Sequence, residues 1–196
     1  MAEIKSTLEM VLERAARMSA ASTAQNGNEE SQKKGMRLAA DFLNSKVTDL
    51  VAALAENAQS ETAAIRQGMV ETLLRNITLP RDEQLKATSL VALKGIISLG
   101  GAQLSPICAE LQQLLEQYGQ HREQSIKQLD DAIRAQLGQQ MARRGGQAPA
   151  TASLNPALHP QYREELARMQ SDLNNQYIQA LDQRKELIRQ TIAPER

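Results

Sequence analysis

The side chains able to do chemistry in this chain are few: two histidines, one cysteine and some adjacent carboxylates. A metal site at His121 would want a second His or a carboxylate three or four residues away, on the same helix face. Those positions hold Gln117, Tyr118, Gln124 and Ser125, so His121 reads as a polar residue of a helix surface or seam. His159 precedes a proline and reads as a turn residue. Asp130-Asp131 and Glu164-Glu165 are neighbours in sequence, which point about 100° apart on a helix and do not converge on one atom. Glu164 and Glu165 also suit the first turn of a helix, where the macrodipole favours negative charge. The Glu-x-x-His spacing of a ferritin-like metal pair occurs nowhere. Cys108 sits near an expected helix start, a place that can lower a thiol pKa, yet it has no nearby His as base and reads as a small packed residue. Gly95 and Gly100-Gly101 lack the lysine and preceding strand of a phosphate loop and read as a helix stop. On these grounds no catalytic, cofactor-binding or metal residue is assigned, and an enzyme would need a site that the sequence does not display.

What remains is surface, and the elements that carry it are helices. The stretch Ser105 to Arg144 reads as one long helix, with apolar residues at Ile107, Leu111, Leu114, Tyr118, Ile126, Leu129, Ile133, Leu137 and Met141. Ser105 and Pro106 start it as N-cap and first-turn proline. Its stripe is interrupted from Gly119 to Ser125, a phase shift that marks a change in packing. A loop over 145–160 holds Gly145, Gly146, Pro149, Pro156 and Pro160, and Asn155 is placed to cap a single turn within it. The last helix runs from about Pro160 with Tyr162, Leu166, Met169, Leu173, Tyr177, Leu181, Leu187 or Ile188, and Ile192 on its stripe. Two long helices joined by a short loop fold back on each other.

Upstream, residues 1–18 form an amphipathic helix with Ile4, Leu8, Val11, Ala15 and Met18 on one narrow stripe. Residues 19–32 are polar and small and read as a flexible linker. Residues 33–104 hold about three helices. One begins near Glu30 and carries Met36, Ala40, Leu43, Val47, Leu50 and Leu54. The next carries Ile65, Met69, Leu73 and Ile77 and ends by Pro80. The third opens on Asp82 and Glu83, presents Leu85, Ser89, Ala92, Leu93, Ile96 and Ile97 as its buried face, and stops at Gly100-Gly101. The fold class is therefore all-α: a helical bundle with a long C-terminal antiparallel coiled-coil hairpin over 105–196.

Composition narrows the function. Lys plus Arg equals Asp plus Glu at 23 each, and the balance is also local, so the basic stripe of a nucleic-acid binder is missing. Aromatics are Phe42 and three tyrosines, with no tryptophan; the apolar content suits helix–helix seams better than a thick core. A single cysteine excludes an internal disulfide and fits a reducing, cytoplasmic setting. No secretory signal is read at the N-terminus, and no apolar run reaches the ~20 residues of a membrane span.

The opening Met1-Ala2-Glu3-Ile4-Lys5-Ser6-Thr7-Leu8-Glu9, continuing to Val11-Leu12-Glu13-Arg14, resembles the start of a group of small uncharacterised bacterial helical proteins. That resemblance implies a helical fold and no particular activity. The function expected is non-enzymatic: a protein-interaction or assembly role through helix seams, with an unidentified protein partner and a homodimer. The partner-binding candidates are Ile4, Leu8, Val11, Ala15 and Met18, together with Arg143 and Arg144 at a helix end. A helical regulator of nucleic acid or its machinery is the alternative.

Overall fold

The computed structural model describes residues 27–143 and 155–192. Six α-helices and two short 3-10 turns make up the regular structure, with no strand among the described residues. The helices are α1 over 27–43, α2 Leu50–Ala55, α3 Thr62–Asn76, α4 Glu83–Gly100, α5 Ser105–Arg143 and α6 Tyr162–Ile192. The chain divides into two compact units. The first takes α1, α2, α3 and the later part of α4; the second takes residues 77–90, with the start of α4, and 103–191.

In the first unit the core is aliphatic: Ala39, Leu50, Ile65, Met69, Leu73, Leu74 and Ile96 are fully buried. Helices α1 and α3 meet through two glycines. A Cβ on Gly35 would run into the Ile65 carbonyl group, and one on Gly68 would run into that of Gln32. Each glycine therefore lets the other helix's backbone approach where any side chain would block it. Gln32 and Gln67 add a hydrogen bond across the same crossing at 3.1 Å. Gly95 of α4 is buried beneath Phe42, Leu73 and Leu50.

The helix expected to run unbroken from Glu30 past Leu54 is two helices. It stops at Asn44, because Ser45 adopts a left-handed φ of 60°. Ser45 N–H donates to Phe42 O at 3.0 Å and Lys46 N–H to Asp41 O at 2.8 Å, the paired bonds of a Schellman stop. Asp49 then restarts the chain as N-cap, its carboxylate accepting from Val51 N–H at 2.8 Å and Ala52 N–H at 3.1 Å. Residues 27–32, read from sequence as the end of a linker, already belong to α1. Ser31 is buried and Gln32 is held against α3, so packing decides what composition alone argued against.

The other stops follow the sequence. Asp82 accepts from Leu85 N–H at 2.8 Å at the head of α4. Gly101, with φ of 76°, ends α4 by donating its N–H to Ile97 O at 2.8 Å. The buried face of α4 is Ser89, Ala92, Leu93, Ile96 and Leu99. Leu85 and Ile97, expected on it, are instead 36% exposed: Leu85 lies in the first turn of α4, and Ile97 points about 100° away from the buried Ile96, at the edge of the stripe.

Helix α5 spans 39 residues, about 60 Å at 1.5 Å per residue. Helix α6 runs back along it, and four contacts show the antiparallel course. Glu110 meets Arg184, Tyr118 meets Asn174, His121 meets Tyr177, and Asp130 meets Tyr162. From Glu110–Arg184 through Tyr118–Asn174 to Asp130–Tyr162 the number rises on α5 as it falls on α6, and His121–Tyr177 reaches across by one further turn. Ile133 is buried on α5, with Leu173, Leu181 and Ile188 on α6. Of the pair left open from sequence, Ile188 is buried and Leu187 is 49% exposed. Met141, placed on the α5 stripe from its spacing, is 41% exposed, in the last turn of the helix. Asn155 caps the turn Pro156–Leu158 as expected, accepting from Ala157 N–H at 3.0 Å. No helix is long and apolar enough to cross a membrane among the described residues.

Candidate functional site

The α5–α6 hairpin gathers most of the polar chemistry. At its centre, where the α5 stripe is interrupted, Tyr118 is buried and its hydroxyl donates to Asn174 Oδ1 at 2.7 Å. One turn on, Tyr177 Oη and His121 Nδ1 share a hydrogen bond at 2.6 Å. Tyr177 stands edge-on to both rings, with centroids 5.4 Å from Tyr118 and 5.8 Å from His121. Burial raises the Tyr177 phenol above its ordinary value. His121 is thus a seam residue with a phenol for a partner. Among the described residues no group of three His, Cys, Asp or Glu is placed to hold a metal ion.

Nearer the loop, the Tyr162 hydroxyl donates to Asp130 Oδ1 at 2.7 Å. Arg134 completes the cluster, 3.8 Å from Asp130 and 3.3 Å from Asp131. The two adjacent carboxylates therefore do different things: Asp130 turns into the seam and Asp131 stays on the outside. The hydrogen bond to Asp130, with burial and that carboxylate's charge, raises the Tyr162 phenol, and Arg134 opposes the shift. At the other end Arg184 Nε donates to Glu110 at 3.1 Å, and its Nη1 donates to Ala180 O at 3.1 Å.

Cys108 is 2% exposed and its thiol is pushed up to about 11 by burial. Here desolvation outweighs the helix N-terminus, and the thiol is protonated near neutrality. His159 is buried in its turn; its N–H donates to Pro156 O at 3.0 Å and its Nδ1 accepts from Gln161 N–H at 3.3 Å. That settles it as a turn residue. Glu164 and Glu165 lie in the first turn of α6 and are exposed.

Two grooves open on this unit. One, of about 550 Å³, lies between the segment Pro80–Lys86 and the α5 residues Leu115, Gly119, Arg122 and Ile126. Its rim mixes Arg81, Lys86 and Arg122 with Asp82, Glu83, Glu116 and Glu123, so it presents no single sign of charge. The other, of about 390 Å³, runs beside Ser125, Arg168, Asp172 and Gln176. Large apolar side chains also face outward: Ile178 at 47%, Leu187 at 49% and Leu158 at 77% exposure.

Of the partner-binding residues expected from sequence, Ile4, Leu8, Val11, Ala15, Met18 and Arg144 lie outside the described residues. Arg143 is exposed in the last turn of α5. The cross-helix bonds were missed from sequence because the three tyrosines counted only as apolar stripe residues. Each one's partner depends on the pairing of two helices.

No curated protein and no solved structure matches the chain. A family of unknown function, DUF6657, matches residues 51–190, which run from within α2 nearly to the end of α6. That match lies downstream of the opening motif and agrees with the uncharacterised helical group expected from it. All three tyrosine contacts of the long hairpin, and all of it but the last two residues of α6, fall inside the matched region, and the chain belongs to DUF6657.

Proposed function

We propose that the protein is a non-enzymatic interaction or assembly protein of the cytoplasm, which binds a protein partner through amphipathic helix seams and pairs as a homodimer. The observation that carries this reading is the α5–α6 hairpin. Helices of 39 and 31 residues have long lateral faces, and apolar side chains along them are left half-buried or exposed. Half-buried apolar residues such as Ile126, Leu129, Leu137, Leu166 and Met169 continue along both helices, the coiled-coil pattern that accepts further helices. Ile178 and Leu187 add exposed apolar surface on α6. Extended surfaces of this kind suit protein association better than the concave, mostly apolar pocket of a small-molecule site. The buried, protonated thiol of Cys108 fits a reducing compartment.

The opening stripe Ile4, Leu8, Val11, Ala15 and Met18 is the recognition element of this proposal. Its 4-3-4-3 spacing suits a helix lying in a groove of a partner helix pair. The test is the double substitution Leu8→Glu with Val11→Glu in the full chain, read by light scattering and circular dichroism. The expected result is unchanged helix content with loss of association. Association that persists at the wild-type concentration dependence would remove the stripe from the interface.

A further inference from the structure

We infer that the three tyrosine hydroxyls of the chain fix the register of the α5–α6 hairpin, selecting it over slipped pairings that the apolar stripes alone would accept. The chain has only three tyrosines, and every one places its hydroxyl on a polar atom of the opposite helix. Tyr118 reaches Asn174 at 2.7 Å, Tyr162 reaches Asp130 at 2.7 Å, and Tyr177 reaches His121 at 2.6 Å. The only phenylalanine, Phe42, belongs to the other compact unit. Ring bulk by itself would be served as well by phenylalanine, so the hydroxyls are the feature to explain.

The apolar pattern shows what they are needed for. On α5 the stripe Ile126, Leu129, Ile133, Leu137 and on α6 the stripe Tyr162, Leu166, Met169, Leu173 carry nearly the same 3-4 spacing. A slip of one heptad, about 10 Å along the helices, would set Ile126 level with Leu173, Leu129 with Met169, Ile133 with Leu166 and Leu137 with Tyr162. Apolar burial scarcely distinguishes the two pairings, because it is not directional. Hydrogen bonds are directional and short in reach. The slip would separate Tyr118 from Asn174 while leaving its buried hydroxyl to be satisfied, and would part Tyr162 from its carboxylate. One polar residue in an apolar helix seam is known to set register in the same way. The pins are also spread along the seam: Tyr118 borders the interruption at Gly119–Ser125, where the stripe guides least, the Tyr177 hydroxyl reaches His121 within it, and the third lies near the loop.

The test replaces only the hydroxyls. The full chain with Tyr118→Phe, Tyr162→Phe and Tyr177→Phe carries spin labels on cysteines placed at the exposed positions Gln128 and Ala167, with Cys108→Ala to leave no other thiol. Diluting labelled with unlabelled protein removes distances between copies, so the readout does not depend on self-association. With all three tyrosines present the label distance should form one population. The triple variant should add a second, longer population: an axial slip of about 10 Å between nearly level positions about 10 Å apart lengthens their separation by roughly 4 Å. A single unshifted population in the triple variant would overturn the inference. If the triple variant loses helicity, a short crosslink between the same two cysteines, which imposes the native register, should restore it. Helicity that the crosslink fails to restore also counts against the inference.

Discussion

At the residue scale, Cys108 and Ser45 show how local environment sets behaviour. The buried thiol rises from its ordinary value of 9.0 to about 11. A raised folded pKa means that the unfolded chain releases its proton first, so the protonated thiol favours the fold below pH 9. That contribution is lost as pH climbs through 11. Wild type should therefore lose about 2–3 kcal/mol relative to Cys108→Ala between those limits, as measured by urea unfolding at each pH. Native protein at pH 8 should also react with a thiol reagent far more slowly than unfolded protein. Ser45 holds a left-handed φ of 60° that glycine adopts without strain. Ser45→Gly should raise stability by about 1 kcal/mol, read from the same urea midpoints; a drop would mean that the serine side chain contributes something that the bonds around it do not show.

The same residue explains where sequence reading stopped short. Gly101 was legible as the end of α4 because glycine is the usual left-handed stop, whereas Ser45 carries no such flag. The apolar 4-3 run from Met36 to Leu54 therefore looked continuous across it. Asn155 as a cap and the start of α5 at Ser105-Pro106 were legible, since such signals are local; Asp82, placed in the first turn of α4 from sequence, instead stands before Glu83 and caps that helix. Tyr118, Tyr162 and Tyr177 were not legible as cross-helix donors, because periodicity says which face a residue occupies and not what lies opposite.

At the scale of elements, glycines have opposite meanings according to what faces them. Gly35 and Gly68 sit where α1 and α3 bring backbone against backbone. Alanine there would gain about 1 kcal/mol of helix propensity, but the clash involves carbonyl groups that cannot swing aside. Gly35→Ala should therefore destabilise by about 1–3 kcal/mol net. Gly119 lies within α5 with nothing within 4 Å of a would-be Cβ, so Gly119→Ala should stabilise by up to about 1 kcal/mol. Thermal unfolding of the two variants side by side checks both signs. If both fell together, packing at Gly119 would be closer than the open space around it implies.

At the scale of the whole molecule, the account rests on helices that cover one another incompletely. The hairpin over α5 and α6, but for its last two residues, lies within residues 51–190, the part shared with DUF6657, and the opening stripe lies outside that part. The family match and the opening stripe proposed as the recognition element are thereby separate segments of sequence. These helix seams are proposed as interfaces, beginning with a second copy of the chain. The decisive experiment is light scattering during size exclusion, on the full chain over a hundredfold range of concentration. The account predicts a mass of twice 21.6 kDa that falls toward the single-chain value only on dilution. A sharp single-chain mass at every concentration would contradict it.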